Sequence, residues 1–184
     1  MGGNTGLMEN DKFLVRPIDW SKLNKIHIPL DFIDIREFFN RNLSSGRYSL
    51  VPRTNPMTPY ELSNWVKNRR DCLNYVAEDK VLKKIFASSV VIINSEGFGE
   101  INVLRDLFYP LRGAGTELIK RTIEETLSRN IYASIHTSVE NAPVIAIMEK
   151  LGYSSPKWIK NYGPYVNNIS ARNFDAYEWI IKHS

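Results

Sequence analysis

The spacing of apolar residues changes several times along this chain, and each change marks an element. Phe13-Leu14-Val15-Arg16 ahead of Pro17 reads as a first strand. From Leu30 to Leu43 the apolar set Phe32, Ile33, Ile35, Phe38 and Phe39 follows helical spacing and stops at Ser44-Ser45-Gly46. Thr58-Pro59-Tyr60-Glu61 has capping-box spacing with proline at the first helical position, and opens a helix through Leu62, Trp65 and Val66 to about Arg70. Leu73 to Glu78, Lys84 to Asn94 and Glu100 to about Leu107 then read as three consecutive antiparallel strands, turning near Asp79-Lys80 and Glu96-Gly97. Leu118, Ile119, Ile123 and Leu127 return at a period of 3.6, with Glu117, Lys120, Arg121, Glu124, Glu125 and Arg129 on the opposite side. Ile131 to Thr137 reads as a strand, and Asn141 to Tyr153 as a short helix with marked ends. Trp158-Ile159 and Tyr177–Lys182 supply two last strands, separated by the polar and aromatic loop Asn161-Tyr162-Gly163-Pro164-Tyr165.

Composition narrows the setting of these elements. At 184 residues the chain is long enough for one domain with a proper core. Residues 12–184 are expected to form it, behind a flexible N-terminal arm at 1–11, with no linker or internal repeat. The single cysteine cannot form an internal disulfide, so a reducing, cytoplasmic location is expected. No apolar run approaches a membrane span and no leader is expected at the N-terminus. The 24 basic against 20 acidic residues make the chain mildly positive, which suits a polyanionic ligand. The densest basic cluster, Lys67-Asn68-Arg69-Arg70, falls where a helix closes and cations are favoured anyway, so a nucleic-acid stripe is not indicated.

Candidate chemistry concentrates in Tyr109-Pro110-Leu111-Arg112-Gly113-Ala114-Gly115-Thr116, which runs directly into the amphipathic helix. Gly113 and Gly115 let backbone approach a ligand, and first-turn N–H groups lack intrahelical acceptors, so an anion can use them together with the positive end of the helix dipole. Arg112 adds a charged fork. A tight strand-to-helix turn that needs glycine for geometry alone explains the same residues. The dinucleotide fingerprint fails because its third glycine is replaced by Leu118, and the Walker pattern lacks its Gly-Lys-Ser/Thr ending. In the short helix Asn141 can cap the start, Pro143 is tolerated in the first turn, and Gly152 can take the left-handed position past the end.

Taken in order, the strand, glycine turn, helix, strand and Asn-started helix ending in Leu151-Gly152-Tyr153 resemble the two central motifs of the GCN5-related N-acetyltransferase (GNAT) superfamily. The family's loop, Gln/Arg-x-x-Gly-x-Gly/Ala, is matched by Pro110-Leu111-Arg112-Gly113-Ala114-Gly115 except at Pro110. Its second motif, Asn followed eleven and twelve residues later by Gly and an aromatic, is met by Asn141, Gly152 and Tyr153. The resemblance covers residues 98–153 most closely and extends from about 12 to the C-terminus. It implies an α/β (α+β) acyl-CoA N-acyltransferase fold, with a mixed twisted sheet of six or seven strands, helices on both faces, and a V-shaped gap between the fourth and fifth strands, here Glu100–Leu107 and Tyr132–Thr137.

The same resemblance implies an acetyl-coenzyme A-dependent transfer of an acetyl group to a primary amine, without a covalent enzyme intermediate. Cofactor contacts would come from Leu107 and from Leu111, Arg112, Gly113, Ala114, Gly115 and Thr116, with Asn141 holding the cofactor arm unless it is only a helix cap. His136 stands where relatives that acetylate protein N-termini carry a glutamate base, and Glu100 near where others do. His136 is equally a half-buried histidine bonded to a neighbouring strand, and Glu100 equally the end of the Glu96–Gly99 turn. Met148 occupies the position at which many relatives have a proton-donating tyrosine, and methionine cannot donate. Tyr162 first, or else Tyr109 or Tyr165, could serve instead, or water could. The expected partner is an amine substrate, with a homodimer allowed and neither membrane, nucleic acid nor metal called for. A catalytically silent coenzyme A-binding scaffold, or a nucleic-acid-directed protein of the same fold, are the other readings.

Overall fold

The computed structural model describes residues 8–9, 11–18, 30–43, 56, 58–61, 64, 74–93, 96–106, 109–162, 164–167 and 170–183. Its strands are β1 (Met8–Glu9), β2 (Phe13–Pro17), β3 (Asn74–Asp79), β4 (Ile85–Ile93), β5 (Gly99–Arg105), β6 (Ala133–Ser138), β7 (Lys157–Ile159), β8 (Pro164–Asn167), β9 (Ser170–Asn173) and β10 (Ala176–Ile181). Three helices accompany them: α1 (Leu30–Leu43), α2 (Ala114–Ser128) and α3 (Ala142–Lys150). Eight strands form one sheet in the order β1-β2-β3-β4-β5-β6-β10-β7, while β8 and β9 pair with each other.

All seven strands read from the sequence are present, and β1 extends the sheet by pairing Met8 with Val15 and Glu9 with Leu14. The remainder of the expected N-terminal arm, residues 1–7 and 10, lies outside the described residues. Pro164 and Tyr165, read as loop, instead begin the β8–β9 hairpin, because Tyr165 finds a partner in Arg172 and Val166 in Ala171. The capping box at Thr58 forms: Glu61 N–H donates to Thr58 Oγ1 at 3.3 Å, and Glu61 Oε2 accepts from Thr58 N–H at 2.8 Å. Leu62, Trp65, Val66 and Arg70 of that expected helix, and the basic cluster 67–70, fall outside the described residues. No helix among the described residues is long and apolar enough to cross a membrane.

Neighbouring strands are antiparallel except β5 and β6, which run parallel. Their ladder consists of Gly99 opposite Ala133 and Glu100 opposite Ser134, and there it ends. β5 stays with β4 along its whole length, from Gly99 opposite Ile93 to Arg105 opposite Ala87. β6 stays with β10 from Ala133 opposite Ile181 to Ser138 opposite Ala176. Each strand follows its antiparallel partner, so the pair separates beyond Glu100 and leaves the β6-facing side of Ile101 to Leu104 with no neighbouring strand among the described residues. That is the V-shaped gap.

Alternation along the strands assigns two faces. On one, α2 and α3 cover Val91, Ile101, Ile135, Trp179 and Ile181, with Ile119, Ile123 and Met148 of the helices in the same buried cluster. A second cluster joins Phe13, Val15, Phe86 and Tyr109 to Ala114 and Leu118 at the start of α2. The stripe of α2 is wider than its aliphatic residues, because Thr122 and Thr126 are also fully buried. Their hydroxyls donate to the carbonyls of Leu118 and Thr122 at 2.6 and 2.7 Å, and Ser89 meets Thr122 Oγ1 at 2.7 Å, so no buried hydroxyl in that seam lacks a partner. α1 lies against β4, where Arg41 donates to the Ile85 carbonyl at 3.0 Å and pairs with Asp106 at 3.4 Å.

Two residues fix this packing. Gly99 is the first residue of β5 rather than part of the preceding turn, and a Cβ there would stand 2.7 Å from Thr126 Cγ2 and 2.8 Å from Val91 Cγ1. Asp79 ends β3 and holds the following turn, its Oδ1 accepting from Val81 and Leu82 N–H at 2.7 and 2.9 Å, while its Oδ2 accepts from the buried Tyr109 hydroxyl at 2.9 Å. The Leu82 N–H, then the Tyr109 hydroxyl and the Val81 N–H, hold the Asp79 carboxyl below the usual range against the opposing effect of burial.

Gly99→Ala should therefore lower unfolding stability by about 1–3 kcal/mol through overpacking, read as a shift in the denaturant midpoint; a midpoint equal to wild type would contradict the close approach. Asp79→Asn should cost roughly 1–3 kcal/mol near neutral pH. Because the folded pKa of Asp79 is depressed, its contribution is full above the usual aspartate pKa of about 4 and is lost as pH falls through the folded value. Denaturation of both proteins across the acidic range should show the wild-type advantage shrinking below about pH 4, and an advantage constant down to about pH 2 would refute it.

Candidate active site

The segment after β5 brings the start of α2 to the mouth of the gap. Arg105, the last residue of β5, donates from Nη2 to the carbonyls of Tyr109 at 3.2 Å and Leu111 at 3.1 Å. Those carbonyls are thereby turned to a cation on the strand side. Gly113 takes φ 92°, ψ −21° at the N-cap of α2, a left-handed conformation that disfavours side chains. The first helical hydrogen bond runs from Glu117 N–H to Gly113 C=O at 3.3 Å. The amides of Ala114, Gly115 and Thr116 precede it, and no side chain caps them. Pro110, Arg112 and Gly113 are exposed, whereas Ala114 is fully buried and Leu111 packs against the core. Gly115 faces α3, where a Cβ would meet Ile147 Cδ1 at 3.5 Å, an ordinary contact. The two glycines thus differ: conformation favours glycine at 113, whereas a methyl group would fit at 115.

Leu107, expected at the end of the strand, lies outside the described residues. Asn141 occupies the N-cap of α3 but makes no side-chain cap. Its Nδ2 donates instead to Thr137 Oγ1 at 2.7 Å, tying the helix start to β6. The far end of α3 closes as its sequence suggests, with Gly152 at φ 90° and bonds from Gly152 N–H to Glu149 C=O and Tyr153 N–H to Met148 C=O, both at 2.9 Å.

The opposite face of the sheet gathers the proton-handling candidates. Glu100 on β5 and Ser134 on β6 are ladder neighbours, His136 lies two residues further along β6, and Glu178 on β10 is its direct partner. His136 Nε2 lies 2.9 Å from Glu178 Oε1, and both side chains are largely buried. The imidazole is held by β10, because Glu178 is the register partner on the same face, which is the contact expected of a half-buried histidine bonded to a neighbouring strand. The Tyr162 ring stacks on His136 at 4.6 Å and 19°, and Phe174 meets Tyr162 edge-on at 5.8 Å. Main-chain bonds pin Tyr162: its N–H donates to the Phe174 carbonyl, and Asn161 N–H donates to Asp175 Oδ1.

Burial, with Glu100 and then Glu178 adding to it, pushes the Tyr162 hydroxyl up to about 12. Two carboxylates therefore act on the one phenol, and Tyr162 keeps its proton at neutral pH. Tyr109 does not belong to this group. Its pKa is also raised, to about 12, first by burial, but its hydroxyl is committed to Asp79 and its ring stacks on Phe86 at 4.6 Å. Tyr165 stands in β8 opposite Arg172, outside the main sheet. Met148 is fully buried in the α2–α3 core cluster. Sequence reading missed Arg105 and Glu178; alternation from Trp179 could have placed Glu178 on the polar face, but nothing in sequence pairs it with His136.

No family model matches the sequence, and no curated protein does. Solved structures do match its fold. A ribosomal-protein-S5-alanine acetyltransferase from Vibrio fischeri is 18% identical with a TM-score of 0.66, over 96% of this chain and 97% of that one. A spermidine N-acetyltransferase from Vibrio cholerae, in complex with CoA and spermine, is 17% identical with a TM-score of 0.61, over 94% and 97%. A GNAT superfamily phosphinothricin acetyltransferase from Sinorhizobium meliloti, in complex with AcCoA, is 12% identical with a TM-score of 0.65, over 91% and 88%. At these identities the likeness is one of fold.

Proposed function

We propose that this chain, which has the fold of the GNAT acetyltransferases, is an acetyl-coenzyme A-dependent N-acetyltransferase acting on a primary amine. The observation that carries the reading is the parting of β5 from β6 beside the uncapped start of α2, with Gly113 in its left-handed turn. Exposed main chain of β5 suits an extended amide-bearing arm added as a strand would be. The amides of 114–116 and Arg112 suit a pyrophosphate at its end. Both features address one ligand, which a tight turn alone would not need.

When bound, acetyl-coenzyme A supplies an acetyl group on a thioester. Overall, an ammonium and the thioester give an N-acetyl amide, a thiol and one proton. His136 accepts the proton that frees the amine, Glu100 and Glu178 favour a cationic acceptor on that face, and the Tyr162 hydroxyl supplies the proton that Met148 cannot. The neighbours of the same fold named as a ribosomal-protein-S5-alanine acetyltransferase and a spermidine N-acetyltransferase are consistent with an amine acceptor.

Calorimetry should show acetyl-coenzyme A binding at least about tenfold more tightly than acetyl-pantetheine, which lacks the phosphates. Gly113→Val should abolish that preference because valine cannot readily hold a φ of 92°. Thioester turnover with a panel of amines then separates an enzyme from a silent binder. No heat with millimolar acetyl-coenzyme A would overturn the proposal, and binding without turnover of any amine would leave only the binder.

A further inference from the structure

Hydrogen-bond accounting at His136 carries a consequence for Glu178. A carboxylate can only accept, so the 2.9 Å contact requires the proton on Nε2 of His136. In the neutral ring the lone pair then sits on Nδ1, which is buried and has no hydrogen-bond partner among the described residues. Cross-strand register keeps Glu178 opposite His136, and the Tyr162 ring covers one face of the imidazole at 4.6 Å. The ring is thus fixed in rotation and in tautomer, with its basic nitrogen directed away from β10. Beside it, Ser134 is 2% exposed and its Oγ is likewise buried with no partner among the described residues.

We infer that Glu178 is a positioning residue, holding His136 as the Nε2–H tautomer so that Nδ1 takes the proton of the acceptor ammonium. This rests on the acetyltransferase reading above. The proton moves from R–NH3+ to Nδ1; the free amine forms the C–N bond to the acetyl carbon as the C–S bond breaks, the nitrogen's second proton passes to the thiolate by way of the Tyr162 hydroxyl, and the imidazolium returns its proton to solvent. The Glu178 carboxylate faces the imidazolium so formed. Among the described residues, the other charged or titratable groups facing this pair are Glu100 from β5, Tyr162 from the segment after β7, and Lys157 from β7, whose Nζ lies 3.6 Å from Glu178 Oε2 on a largely exposed side chain.

Nitrogen-15 and carbon-13 NMR of histidine-labelled full-length protein, with His136→Gln assigning one of the 3 histidines, reads the tautomer without any substrate. Nε2–H is expected in the neutral form, and Nδ1–H would overturn the proposal. In Glu178→Gln, acetyl transfer to the best amine should fall about 10–100-fold, with the pH profile of kcat/KM altered and acetyl-coenzyme A affinity unchanged. Glu178→Asp should recover part of the rate and return the profile toward wild type. A folded Glu178→Gln protein with the wild-type pH profile would make the pair purely structural and overturn the proposal. Wild-type protein that fails to bind acetyl-coenzyme A would overturn the acetyltransferase reading itself, a result separable from an unchanged profile in a chain that binds and turns over.

Discussion

The two-residue parallel ladder between β5 and β6 is the constraint on which the rest of the molecule depends. A parallel sheet normally continues its pairing, since unpaired main chain costs free energy when buried. Here β5 is committed to β4 along its length and β6 to β10, so the only shared stretch is Gly99–Glu100 against Ala133–Ser134. Gly99 closes that end by letting Thr126 and Val91 approach, and its N–H donates to the Tyr132 carbonyl at 2.8 Å. Everything toward the C-terminal end of the strands is thereby available to a ligand that can pair like a strand.

Two chemistries meet across that opening because the sheet separates them by face. The side covered by α2 and α3 carries the start of α2, with Arg105 gathering the loop carbonyls and the first amides of α2 uncapped by any side chain. The other side carries Glu100, His136 and Glu178 under Tyr162. A polyanionic cosubstrate and a cationic acceptor can approach from different sides and meet in the gap, which keeps their charges from competing for the same groups.

The sequence was most readable where one residue type has one physical use. Period and end signals gave α1, α2 and α3 and the seven principal strands; Gly113 and Gly152 both take the left-handed conformations that glycine permits. It was less readable where a role depends on a distant neighbour. Gly99 looked like part of a turn because nothing local announces that Thr126 and Val91 will press against it. Asn141 has the right residue type for a cap, yet Thr137 takes its side chain. The threonines of α2 escaped an aliphatic count because back-bonding to the preceding turn makes them compatible with burial. Glu178 depends on antiparallel register with β6, which composition and spacing do not encode. The β8–β9 hairpin was hidden in a polar loop for the same reason.

The most direct measurement is a crystal structure of the chain with bound acetyl-coenzyme A. The account predicts the pantetheine arm between β5 and β6, hydrogen-bonded to main chain between Ile101 and Arg105, with the pyrophosphate on the amides of residues 111–116 and the thioester opening toward His136 and Tyr162. A ligand seated elsewhere, or strands β5 and β6 drawn together with no arm between them, would contradict it.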